Sequence, residues 1–142
     1  MPILIILCGI PGSGKTTLSK KISEFKNYTR ISMDEEKYIH HSDMIPEIIN
    51  HLSLNENIII DACYAKRKFR KALLEAIKDL DCKRICIHVD TPLDSCIHRN
   101  DRRSRRVPSF LIKTMYNTFE HPTKDEGWDE IFVFDNSKNV KG

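Results

Sequence analysis

Residues 3–17 read ILIILCGIPGSGKTT, an unbroken apolar run from Ile3 to Cys8 followed at once by a glycine-rich segment. A continuous run of Ile and Leu, without the alternation that a water-facing sheet would require, predicts a strand buried on both faces. The segment GIPGSGKTT, residues 9–17, fits G-x-x-x-x-G-K-[ST] at Gly9, Gly14, Lys15 and Thr16. A strand before it and an amphipathic stretch after it supply the context this motif needs. Glycines let successive backbone N–H groups turn inward as an anion nest, and a helix opening at Lys15 adds the positive end of its dipole. Lys15 would then reach the β and γ phosphates of a nucleoside triphosphate, and the Thr16 hydroxyl would face magnesium. Pro11, Gly12, Ser13 and Thr17 complete the predicted nucleotide-binding set.

Moving outward, further apolar runs occur at 28–32, 57–61, 84–89 and 131–134, separated by helical patterns at 15–25, 35–52 (with a break near Ser42 and Pro46), 66–79, 92–103 and 109–119. Strands alternating with helices predict an α/β fold: a parallel sheet of four to five strands with helices on both faces. A chain of 142 residues is the size of one domain. Its five cysteines form no C-x-x-C pair, so neither a disulfide framework nor a zinc site is signalled and a reducing, cytoplasmic setting is expected. The run at 3–10 is too short to span a bilayer and lacks a basic flank, so no membrane is expected as a partner.

Ligands of open α/β sheets bind at the carboxyl ends of the strands. Asp34 directly follows the second strand, where it can take a proton from an attacking hydroxyl, and Lys37 follows it by one helical turn, able to hold an anion on the acceptor. The same stretch also reads as a capping box, Ser32-x-x-Glu35. Asp61 ends the third strand in the position of a Walker-B carboxylate for magnesium, with helix capping as the alternative. Arg70, in KRKFRKALLEAI, is expected on a solvated helix face, and the pair His40 and His41 on the surface. Phe69, Phe110, Tyr116 and Phe119 sit at helical spacings that predict core positions, whereas Tyr38 and Tyr64 fall on loops.

The segment RNDRRSRRVP, 99–108, carries five arginines against one aspartate, more than the chain's whole formal charge of +3. Its density suggests a specific anionic target held under an arginine-rich lid. Arg99 and Arg103, four apart, can share a helix face and neutralise a transferring phosphoryl group. Arg102, with Arg105 and Arg106, is left for a phosphate of the acceptor or for solvent. Pro108 restarts a helix.

Together these residues resemble the kinase domain of the bacteriophage-type polynucleotide 5′-hydroxyl kinases, from ILIILCGIPGSGKTTL through RISMDEEK and IIIDACYAKRKFRKAL to HVDTPLDSCIHRNDRRSRRVPSFLIKTMY. The resemblance implies a P-loop kinase fold and transfer of the ATP γ-phosphate to the 5′-hydroxyl end of DNA or RNA. It implies Lys15 and Thr16 on the donor phosphates and magnesium, Asp34 as general base, Arg103 with Arg99 behind it at the transition state, and Val107 on the acceptor path. Lys37 stands where the family usually has arginine, Cys63 where it tends to have threonine, and the lid is about one residue shorter. The phosphatase domain fused to some members is not expected here. Two other readings stay open: a kinase of the same architecture acting on a small molecule or a modified base, and a nucleotide-binding module whose arginines dock an RNA or an acidic partner.

Overall fold

The computed structural model describes residues 1–102 and 106–137. Five strands, β1 (Ile3–Cys8), β2 (Thr29–Ser32), β3 (Ile58–Asp61), β4 (Lys83–Asp90) and β5 (Glu130–Asp135), form one sheet in the order β2-β3-β1-β4-β5. Every pairing is parallel. Register places Leu7 of β1 beside Asp61 of β3, and Asp61 beside Ser32 of β2. Three carboxyl ends therefore finish at one level, next to the loop that leaves β1.

Helices α1 (Lys15–Lys26), α2 (Ile45–Ser53), α3 (Arg67–Ala76), α4 (Leu93–Asp101) and α5 (Ser109–Thr118) connect the strands. Alternate residues of each strand face opposite sides. Ile5, Leu7, Ile59 and Val89 form the layer beneath Leu18 and Ile22 of α1. Leu4, Ile6, Ile31, Ile58 and Ile60 form the larger layer beneath Met44, Ile48 and Leu52 on one side and Leu73, Leu74 and Ile77 on the other. Each such side chain, wholly withdrawn from water, stabilises the fold by about 1.5–3 kcal/mol. Ile10, Cys96 and Ile112 make a third cluster that fastens α4 and α5 to the loop after β1. Among the described residues, no helix is long and apolar enough to cross a membrane.

Four expectations change on the structure. The segment 33–37 is a turn, and helix resumes only with a short 3-10 helix, His41–Met44, running into α2. The Ser32 hydroxyl accepts the Glu35 N–H at 3.3 Å, and Lys37 adopts a left-handed conformation (φ 60°), which stops a helix from propagating. Arg70 is fully buried: its Nε and Nη2 each donate to the Glu126 carboxylate at 2.9 Å, and Nη1 donates to the Tyr64 carbonyl at 2.7 Å. Its place three and four residues before Leu73 and Leu74 puts it on the apolar stripe of α3, where a buried carboxylate makes the charge tolerable.

The aromatic residues also divide differently. Phe110 and Tyr116 of α5 are exposed, while Phe69 and Phe119 pack against the core and Tyr64 is buried. Lastly, both faces of the sheet are not covered throughout. Phe132 and Phe134 of β5 are 50% and 37% exposed, because α1 packs over the β1 and β3 side and does not reach the β5 edge, and Val133, on the opposite face, is 63% exposed.

Candidate active site

The loop after β1 is built to hold an anion. Gly12 and Gly14 have positive φ, 83° and 104°. A Cβ on Gly12 would lie 2.3 Å from the Cys96 carbonyl oxygen, so only glycine fits between this loop and α4. The Ser13 carbonyl is held outward by the Thr91 hydroxyl at 2.6 Å and the Asn136 Nδ2 at 3.0 Å. Because C=O and N–H of one peptide point in opposite directions, this directs the Gly14 N–H into the cradle. Helix α1 then starts with neither a side-chain cap nor an acidic residue in its first turn, so its terminal N–H groups are available to an anion. The Lys15 ammonium is buried and donates to the Gly9 and Ile10 carbonyls at 2.9 and 3.0 Å, which leaves its third N–H for a phosphate oxygen.

A cleft of about 560 Å³ opens beside the loop. One wall is Pro11, Gly12, Gly14, Lys15 and Thr16; the opposite wall is Ser32 to Glu35 from the end of β2, with Asp61 to Cys63 from the end of β3 forming the floor. Val107 and Met115 close the α5 side, and His41 closes the far end. Asp34 and the phosphate loop thus share one cavity. The Thr16 hydroxyl donates to Asp61 Oδ2 at 3.0 Å, which directs its oxygen lone pairs away from the carboxylate. A hydroxyl and a carboxylate so arranged suit a magnesium ion shared with nucleotide phosphates. Among the described residues, no cluster of three or more His, Cys, Asp or Glu could hold a metal by itself.

Of the predicted residues, Arg99 comes to the phosphate loop from α4: a Cβ on Gly14 would lie 2.8 Å from its Nη1. Thr17 is exposed in the first turn of α1, and Arg102 is exposed at the end of α4. Lys37 is exposed on the turn and does not line the cleft. Arg103 and Arg105 lie outside the described residues. Val107 is clasped by the buried Asn100, whose Nδ2 donates to the Val107 carbonyl at 2.6 Å while its Oδ1 accepts the Val107 N–H at 3.0 Å.

Further residues line or support the cleft without a signal in the sequence. His41, expected on the surface, is packed on Phe69 with ring centroids 4.6 Å apart, and its Nε2 accepts the Tyr64 N–H at 3.1 Å. Burial, helped by the neighbouring His40, pushes its pKa down to about 4, so at neutral pH the ring is uncharged with its proton on Nδ1. Arg30 reaches from β2 to Asp61, its Nη2 donating to Oδ2 at 2.9 Å. Thr91 and Asn136 orient the loop. None of these carries a local motif: the contacts just described join residues 23 to 123 positions apart in the chain.

A phosphate loop between the central strand β1 and its helix, carboxylates at the end of β3 and on the turn just after β2, and an arginine from α4 at the loop together define a P-loop kinase fold. By sequence, the chain belongs to the AAA domain family, which it matches over residues 4–122. It is 29% identical to an L-seryl-tRNA(Sec) kinase of Methanococcus maripaludis over 89% of this chain and 56% of that protein. It is 24% identical to the bifunctional polynucleotide phosphatase/kinase of Schizosaccharomyces pombe over 90% of this chain and 32% of that protein. The chain thus spans about half, or less, of the length of these relatives. A solved sugar kinase from Janibacter superposes with a TM-score of 0.75 at 18% identity, covering 95% of this chain and 86% of its own. That likeness establishes the fold.

Proposed function

We propose that this protein transfers the γ-phosphate of ATP to the 5′-hydroxyl end of DNA or RNA. The observation that carries this reading is the placement of Asp34 across one cleft from Lys15 and Thr16. A hydroxyl entering between them meets a carboxylate on one side and the held triphosphate on the other. Asp34 accepts the hydroxyl proton as the new O–P bond forms, and the bond from the γ-phosphorus to the bridging oxygen breaks to release ADP. Lys15, Arg99 and, outside the described residues, Arg103 stabilise the negative charge on the phosphoryl oxygens. Thr16 and Asp61 would hold magnesium, which when bound neutralises phosphate charge. Val107 and Met115 give the acceptor an apolar wall, and Arg102 stands ready for a phosphate of the incoming strand. Two relatives are named for kinase activity on a seryl-tRNA and on polynucleotides, which supports a substrate that contains nucleic acid.

The test offers γ-labelled ATP with 5′-hydroxyl oligonucleotides, nucleosides and sugars side by side. Label on the oligonucleotide, lost with Lys15→Ala, is the expected result. Label on a nucleoside or sugar alone would replace this reading with that of a small-molecule kinase, and label on nothing, with nucleotide still bound, would favour a non-catalytic module.

A further inference from the structure

We propose that Arg30 is a positioning residue that ties the magnesium-side carboxylate, Asp61, to the loop that carries the general base, Asp34. This rests on the phosphotransferase reading above and is independent of which acceptor is used. Arg30 sits on β2 with its side chain 15% exposed, and its three kinds of guanidinium nitrogen go to three different elements. Nε donates to the Ser19 hydroxyl of α1 at 2.7 Å, Nη2 donates to Asp61 of β3 at 2.9 Å, and Nη1 donates to Glu35 on the turn after β2. Glu35 is the chain neighbour of Asp34.

Asp61 Oδ2 collects the Thr16 hydroxyl at 3.0 Å and Arg30 at 2.9 Å, while the one proton of the Ser19 hydroxyl has the Thr16 carbonyl at 3.0 Å as its nearer acceptor and Oδ2 at 3.3 Å as the farther. Two committed donors on one oxygen fix the plane of the carboxylate and leave the other oxygen, Oδ1, for a metal ion. They also commit the Thr16 proton to Asp61, so that the Thr16 oxygen faces the cleft with its lone pairs. At the other end, Arg30 holds the turn by its ion pair with Glu35. Lys20, at 3.9 Å from Glu35 and 54% exposed, is too far and too solvated to substitute. A planar guanidinium can span two carboxylates with fixed geometry, which a lysine ammonium cannot. Arg30 therefore sets the distance between the metal end and the base end of the cleft without touching either substrate.

The experiment compares wild type with Arg30→Ala, Arg30→Lys and Glu35→Gln. Binding of fluorescent ADP is titrated against magnesium, alongside ATP turnover and thermal midpoint. Arg30→Ala should raise the magnesium concentration for half-maximal nucleotide binding by roughly 10- to 100-fold, the usual cost of losing a group that orients a metal ligand. Arg30→Lys should restore the magnesium dependence through Asp61 but keep turnover low, because it cannot also hold Glu35. Glu35→Gln should lower turnover and leave the magnesium dependence as in wild type. If Arg30→Ala fails to fold, the other two variants still separate the two ends. Wild-type magnesium dependence in Arg30→Ala, or a fall in thermal midpoint alone in all three variants, would reduce Arg30 to a structural strut. Failure of oligonucleotide labelling would overturn the acceptor reading but not the magnesium titration.

Discussion

At single residues, the phosphate cradle is made by one short loop and the helix after it: Gly12 and Gly14 take positive φ, and Lys15 and Thr16 follow in the first turn of α1. Gly12→Ala should accordingly abolish tight nucleotide binding in an ADP titration: it strains a positive φ and drives a methyl group against the Cys96 carbonyl. Arg70 and Arg30 were not legible in the sequence because their meaning lies in partners on other elements. Arg70 has the spacing of a core residue and the charge of a surface one, and only Glu126, 56 residues away, resolves the conflict. Arg70→Ala would leave that carboxylate buried without its partner and should cost about 3–5 kcal/mol in denaturant unfolding. Arg70→Met paired with Glu126→Gln should recover part of the loss. An unchanged midpoint in Arg70→Ala would show that the pair contributes nothing.

Among the elements, all five strands and four of the five helices follow the apolar pattern closely, since burial on a sheet leaves little freedom in where a run of Ile and Val can lie. The segment after β2 does not. A helical pattern from 35 onward is present in the residues, but the Ser32 hydroxyl and the left-handed Lys37 convert its start into a turn, which places Asp34 and not Lys37 on the cleft. The join between α4 and α5 depends on Asn100, whose amide satisfies both backbone groups of Val107. Asn100→Ala leaves those groups unpaired and should destabilise the fold by about 1–3 kcal/mol. It should also raise the KM for the acceptor more than that for ATP, because Val107 lines the cleft and makes no part of the phosphate loop. Steady-state kinetics with each substrate varied in turn would check this.

For the whole molecule, the doubly wound arrangement brings the ends of β1, β2 and β3 to one level, so that the phosphate loop and the carboxylates of Asp34 and Asp61 line one cleft. The same architecture makes stability respond to pH. His41 is held neutral with its pKa lowered from 6.5 to about 4, so the unfolded chain binds a proton that the folded one excludes. Stability from this residue is present above pH 6.5 and falls as the pH drops toward 4; His41→Gln should flatten that part of the stability curve, and an unaltered curve would place the pH response elsewhere. The acceptor was the part least legible in the sequence, since hydroxyls of nucleic acids and of small molecules would make the same demand on the proposed base, Asp34. The most direct test of the account is the rate at which wild type and Asp34→Asn move label from γ-labelled ATP to a 5′-hydroxyl oligonucleotide, with nucleotide affinity measured beside it. The account predicts that Asp34→Asn is slower by about 10²- to 10⁴-fold with affinity for ATP retained, and transfer by Asp34→Asn at the wild-type rate would contradict it.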